Sequence, residues 1–159
     1  MNKMLLAGLA LVAVMTSCGG TMTTPLTNTY KATLTGGAEN PPVNTAGTGA
    51  ATATLDINTK VLTISGSYTG LTGAVTAPGA LASGAHIHGP TATPNANAGV
   101  LFNLTATAGA TAGSGTVAQT TTITLTDAQI TDINDGKYYV NLHTVANPSG
   151  EIRGQLIKQ

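Results

Sequence analysis

The stretch Gly136–Ile157, GKYYVNLHTVANPSGEIRGQLI, decides how this chain folds. From Tyr138 to His143 the side chains alternate, so Tyr138, Val140 and Leu142 share one face and Tyr139, Asn141 and His143 the other. Asn147, Pro148, Ser149 and Gly150 then force a reversal: Pro presets φ, Asn and Ser bond the local backbone, and Gly takes positive φ. The return strand alternates again, with Ile152 and Leu156 on one face and Glu151, Arg153 and Gln155 on the other. A β-hairpin is the reading, and Glu151 and Arg153 are side-by-side candidates for a structural ion pair, tied either to each other or to the 39–43 loop. In a chain only 8% charged that placement is informative.

The chain has 159 residues, enough for one domain that buries about two-thirds of its unfolded surface without help from a metal or disulfide. Six basic and six acidic residues cancel, and no basic run interleaves with aromatics, which argues against nucleic acid as a partner. Abundant Thr, Ala and Gly with no Trp and one Phe favour strands joined by tight turns around a core of small residues.

At the N-terminus, Asn2 and Lys3 precede an apolar run from Met4 to Met15 that is too short to span a bilayer comfortably and reads as a secretory h-region. Met15, Thr16, Ser17, Cys18 and Gly19 resemble a bacterial lipobox, which makes residues 1–17 a signal peptide and Cys18, the sole cysteine, the lipidated terminus. Residues 18–29 are the lipidated Cys and a flexible tether reaching about 20 Å, and the domain is expected over 30–159. Membrane attachment through this anchor and an extracytoplasmic location follow as expectations.

Strands are expected over Tyr30–Leu34, Ala51–Ile57, Val61–Tyr68 and Val100–Leu104, the second and third as an antiparallel hairpin turning at Asn58–Lys60. The Ala/Thr/Gly run from Thr105 to Gly115 reads as a turn region, and Thr116–Leu125 as a Thr-rich edge strand. Thr126 and Gln129 fit a capping box, Ile130 and Ile133 form an apolar stripe, and Gly136 suits the C′ position, so one short helix is expected near 126–135.

All three histidines fall in two places, His86 and His88 in the HIH segment and His143 in the hairpin. At i and i+2 of a strand, two imidazoles project from the same face about 6.6 Å apart and can converge on one ion. A third from a neighbouring strand would complete a three-nitrogen site; all-imidazole sites suit copper, zinc and other late transition metals, and three nitrogens with an open position suit Cu(II) particularly well. The bland reading is that His86 and His88 hydrogen-bond a loop to the C-terminal hairpin, with His143 bonded to a backbone carbonyl. Nucleophilic catalysis has little to build on, because no Gly-x-Ser-x-Gly elbow occurs and the carboxylates lack a defensible pairing.

LTGGAENPPV from Leu34, YTGLTG from Tyr68, AHIHGP from Ala85 and YYVNLHT with NPSGEIRGQL from Tyr138 onward resemble the successive signatures of the CHRD domain family, named for its repeats in chordin. The resemblance covers nearly all of Tyr30–Leu156 and implies an extracytoplasmic all-β sandwich without a settled activity. Its animal members sit in an extracellular binder of growth factors, and its bacterial ones are mostly secreted or anchored. A weaker likeness is to copper/zinc superoxide dismutase: His86 and His88 are similar to its paired copper histidines and His143 to a later one. The bridging histidine, the zinc-loop ligands and the disulfide have no counterpart. The expected fold is therefore an antiparallel, Greek-key-like β-sandwich of immunoglobulin or superoxide-dismutase type. The expected function is a non-catalytic binding or structural module of the cell envelope with an extracellular protein partner, the alternative being a mononuclear copper protein using His86, His88 and His143.

Overall fold

The structure, a computed structural model, describes residues 26–159. The expected signal segment, Cys18 and the expected tether as far as residue 25 lie outside the described residues. The elements in chain order are β1 (Thr27–Thr35), β2 (Thr48–Asp56), β3 (Val61–Thr69), β4 (Ala85–His88), β5 (Val100–Ala108), β6 (Gly115–Gln119), β7 (Ile123–Thr124), α1 (Asp127–Asn134), β8 (Tyr139–Leu142), β9 (Ile152–Gln155) and β10 (Ile157–Lys158). All-β with one short helix is thus the observed class, and every strand pair is antiparallel.

Local chemistry explains the regular parts. In β2 and β3, Ala51, Ala53, Leu55, Leu62, Ile64 and Tyr68 point inward while Thr and Ser alternate outward. Asp56 Oδ1 accepts the N–H groups of Asn58 (2.8 Å) and Thr59 (2.9 Å), which turns the chain between them. Thr126 and Gln129 form the capping box. Beyond the far end of α1, Gly136 with φ +69° donates to Ile133 and Lys137 to Asp132, a Schellman closure.

The sheet runs β1-β2-β3-β6-β5-β4-β8-β9, and its two ends meet. Thr35 pairs with Arg153, Lys31 with Ile157 and Tyr30 with Lys158, so β9 and β10 follow β1 in one unbroken register. An eight-stranded barrel results where a two-sheet sandwich was expected. Gly154 makes the seam tight enough, since any side chain there would press on the carbonyl oxygen of Thr33. The Greek-key element of the expectation survives: β3, β6, β5 and β4 lie side by side in that order, and the 70–84 connection carries the chain past β6 and β5.

Two further expectations change. The run read as a turn from Thr105 is strand as far as Ala108, paired with Gly115–Ala118, because alternating Thr and Ala serve a pleated surface as well as larger residues do. The segment read as an edge strand divides into β6, which lies between β3 and β5, and β7, which pairs with β3. Its neighbours β3 and β5 leave β6 paired on both sides, in the interior of the sheet rather than at an edge.

Inside the barrel sit Tyr30, Leu34, Leu55, Leu62, Ile87, Leu104, Val140, Leu142 and Ile152. Over β4, β8 and β9 the outer face is buried too, because segments 36–47, 71–76, 90–99 and 143–151 fold across it. That second, polar layer holds the chemistry.

Candidate metal centre

Strand register places each histidine. β4 pairs with β8 so that His86 lies opposite Asn141 and His88 opposite Tyr139, while His143 follows β8 directly and donates its backbone N–H to Gly84. Outward-facing positions of two neighbouring strands therefore bring three imidazoles together. Ring centroids are 5.4 Å apart for His86 and His88, 5.0 Å for His86 and His143, and 5.9 Å for His88 and His143. One ligand nitrogen from each lies within 4.8 Å of the others, and all three side chains are buried. Metal–nitrogen bonds of about 2.0 Å require shifts of under ~1 Å at each nitrogen, within the reach of ring rotation.

The hydrogen bonds select the nitrogens. His88 Nδ1 donates to the Ala98 carbonyl (3.0 Å) and His143 Nδ1 to the Pro148 carbonyl (3.0 Å), which fixes both tautomers with Nε2 bare. Both Nε2 atoms, and both nitrogens of His86, are buried without a protein partner. Buried polar atoms are rarely left so, and since one nitrogen of neutral His86 carries the proton, the cluster offers three lone pairs, one from each ring, to something that accepts them.

Electrostatics agree with that donor set. Burial, joined by the neighbouring His143 and His88, pushes His86 down to about 4. Burial lowers His88 and His143 as well, against the pull of their carbonyl partners. The three are neutral imidazoles at pH 7, the form that binds metal.

Glu151 and Arg153 share the outer face but make no salt bridge with each other. Glu151 is instead enclosed by threonines: Oε1 accepts from Thr45 Oγ1 (2.7 Å) and the Thr72 N–H (2.8 Å), and Oε2 from Thr72 Oγ1 (2.7 Å) and Thr144 Oγ1 (2.6 Å). Burial pushes this carboxyl up, but the hydrogen bonds together outweigh it and hold the group at about 2. Arg153 donates to the Ala96 carbonyl (2.7 Å) and Asn97 Oδ1 (3.1 Å) and lies 3.4 Å over the Tyr139 ring. Strand alternation puts the pair on one face, and loops that arrive from elsewhere in the chain take each of them separately.

Tyr139 and Glu39 join the site without having been singled out in sequence. The Tyr139 ring stacks on His88 with centroids 4.8 Å apart and planes 3° apart, and its hydroxyl accepts the Ala98 N–H (3.2 Å). Alternation placed Tyr139 on the face of His143, which was the available signal. Glu39 Oε2 accepts from Asn141 Nδ2 (3.3 Å), while Glu39 Oε1 and Asn141 Oδ1 are buried without partners. Burial raises Glu39 to about 7 against the opposing field of Arg153 and the Asn141 bond.

No similarity to a curated protein or to a solved structure reaches significance. The CHRD domain family model matches residues 30–156, from the first barrel strand to Leu156 near the end of the last hairpin. All three histidines, Glu39, Tyr139, Glu151 and Arg153 fall within that span, and the chain belongs to the CHRD domain family.

Proposed function

We propose that this chain is a lipid-anchored, extracytoplasmic CHRD module that holds one copper ion at His86, His88 and His143. One observation carries the reading: three buried neutral imidazoles converge with their Nε2 or equivalent nitrogens unpartnered. A purely architectural histidine cluster would use those nitrogens for hydrogen bonds, because each one left bare in a dry interior is destabilising. The all-nitrogen set suits copper and zinc, and a three-coordinate site with room for one more ligand suits Cu(II). The Greek-key barrel and the HIH spacing support a likeness to copper/zinc superoxide dismutase in the position of the copper ligands, and to that extent only. Holding the ion under the 90–99 and 143–151 segments fits copper handling or electron exchange better than chemistry on a bulky substrate.

Copper analysis and Cu(II) titration of the full chain, beside His143→Ala, test this. One copper per chain, lost in the variant while the fold persists, is the expected result, with nitrogen hyperfine structure in the Cu(II) spectrum. Binding no better than that of a variant lacking all three histidines overturns it. The anchor is tested by palmitate labelling, which Cys18→Ala should abolish.

A second reading, recognition of an extracellular protein by the turn at 144–150, is favoured by Val145, which stands 77% exposed at its tip. Loss of partner capture on Val145→Asp, with copper binding intact, would distinguish it.

A further inference from the structure

Arg153 is only 1% exposed, and a cation so buried normally faces a carboxylate. Among the described residues it forms no salt bridge. Its hydrogen bonds end on neutral acceptors, the Ala96 carbonyl and Asn97 Oδ1. Its guanidinium rests 3.4 Å from the centre of the Tyr139 ring, and the strand order β4-β8-β9 puts His88 against the opposite face of that ring. Three planar groups thus form a stack, guanidinium, phenol and imidazole, with a fixed positive charge at one end and a candidate ligand at the other. The stack is braced from the side, since the Ala98 carbonyl accepts a hydrogen bond from His88 Nδ1 and the Ala98 N–H donates to the Tyr139 hydroxyl.

We infer that Arg153 is a positioning residue for the metal centre, its buried charge acting through the Tyr139 ring to disfavour Cu(II) relative to Cu(I) at His86, His88 and His143. This rests on the copper reading above. Cu(II) and Cu(I) differ by one electron and so by one positive charge, and a nearby fixed cation repels the more highly charged ion more strongly. Across the stacked spacings the charge stands roughly 10 Å from the ion, and at an effective dielectric near 20 its repulsion biases the two states by roughly tenfold. Screening by salt is weak there because the whole stack is out of water.

The test is the ratio of Cu(I) to Cu(II) affinity in the full chain, each ion titrated separately against a competing chelator at pH 8.5. Arg153→Met should move the ratio about tenfold toward Cu(II), a fall in potential of about 59 mV for one electron. Arg153→Lys, which keeps the charge, should stay near the parent. An arginine that merely fastens Ala96 and Asn97 would weaken both ions equally, and that result overturns the inference, as does a Lys variant that shifts as far as Met. Glu39→Gln supplies an independent arm should the Met variant fail to fold. Removing a carboxylate whose field opposes that of Arg153 should move the ratio toward Cu(I), and an unchanged ratio again overturns the inference. A parent chain that binds neither ion overturns the copper reading and this inference with it, whereas tight binding with an unmoved ratio overturns this inference alone.

Discussion

Thr144 Oγ1 donates to Glu151 Oε2 across 2.6 Å, joining the two ends of the loop between β8 and β9. The same carboxylate takes Thr45 and Thr72 from two other loops, so one buried anion organises three of the four segments that lie over the outer face. Its charge is matched by donors alone, a pattern that strengthens each bond and leaves several orphans if the acceptor is removed.

Glu151→Ala should therefore destabilise the domain by about 3 kcal/mol or more, a large share of an ordinary domain's stability. Urea unfolding at pH 7 measures it. Acid should act in the same direction: the unfolded carboxyl takes its proton near 4.5, the folded one near 2. The stabilisation is complete above the first value and lost as pH falls through the second. It amounts to roughly 3 kcal/mol for a shift of this size. Equal acid sensitivity in the parent and Glu151→Gln would refute this account.

Glu39 should do the opposite. Its folded carboxyl holds a proton up to about 7, against an ordinary value of 4.5. Between those values the native state binds more protons than the unfolded one, so this group's contribution falls as pH rises and levels off above 7. Glu39→Gln, a neutral isostere, should gain on the parent by roughly 2–3 kcal/mol between pH 5 and 8. Comparing melting temperatures of the two across that range isolates the carboxyl from the histidines, which titrate in both. A constant difference would mean that Glu39 is ionised throughout.

The hairpin around Asn147–Gly150, the helix caps at Thr126 and Gly136 and the convergence of the histidines were legible because each depends on neighbours in sequence or on strand alternation. Closure of the barrel was not, since alternation assigns faces to β1 and β9 without revealing that the two strands meet. The Thr/Ala run of β5 offered no hydrophobic contrast by which to recognise a strand. Glu151 and Arg153 were correctly placed on one face, but their partners Thr45, Thr72 and Asn97 come from distant loops that no local pattern ties to the hairpin.

Copper should persist to lower pH than in a histidine-containing peptide. Proton and metal compete for the same nitrogens, and burial together with the two neighbouring rings holds His86 unprotonated down to about 4, against an ordinary 6.5. At pH 5.5 a solvated three-histidine peptide is mostly protonated, whereas in the folded site His86 is still neutral and burial holds His88 and His143 below their ordinary value. Half-release of copper, followed by equilibrium dialysis, is expected at a lower pH for the parent chain than for the peptide. Half-release near 6.5 would show that folding does not shield the ligands.

Gly154→Ala tests the seam. A methyl at this position meets the Thr33 carbonyl oxygen and crowds the Leu34 N–H, both backbone atoms of the facing strand that no rotamer change can clear. β1 and β9 would have to part, opening the pairing of Thr35 with Arg153 and loosening the face from which Arg153 reaches Tyr139. The expected cost is above ~3 kcal/mol, opposite in sign to the roughly 0.5–1 kcal/mol that replacing glycine by alanine inside a strand ordinarily gains. Gly37→Ala is the control, because a methyl there meets nothing within 4 Å. Hydrogen exchange should show the Thr33–Thr35 amides losing protection first in Gly154→Ala while those of the β2–β3 hairpin keep theirs. Equal loss in both places would mean that the barrel unfolds as one unit with no weak line at the seam.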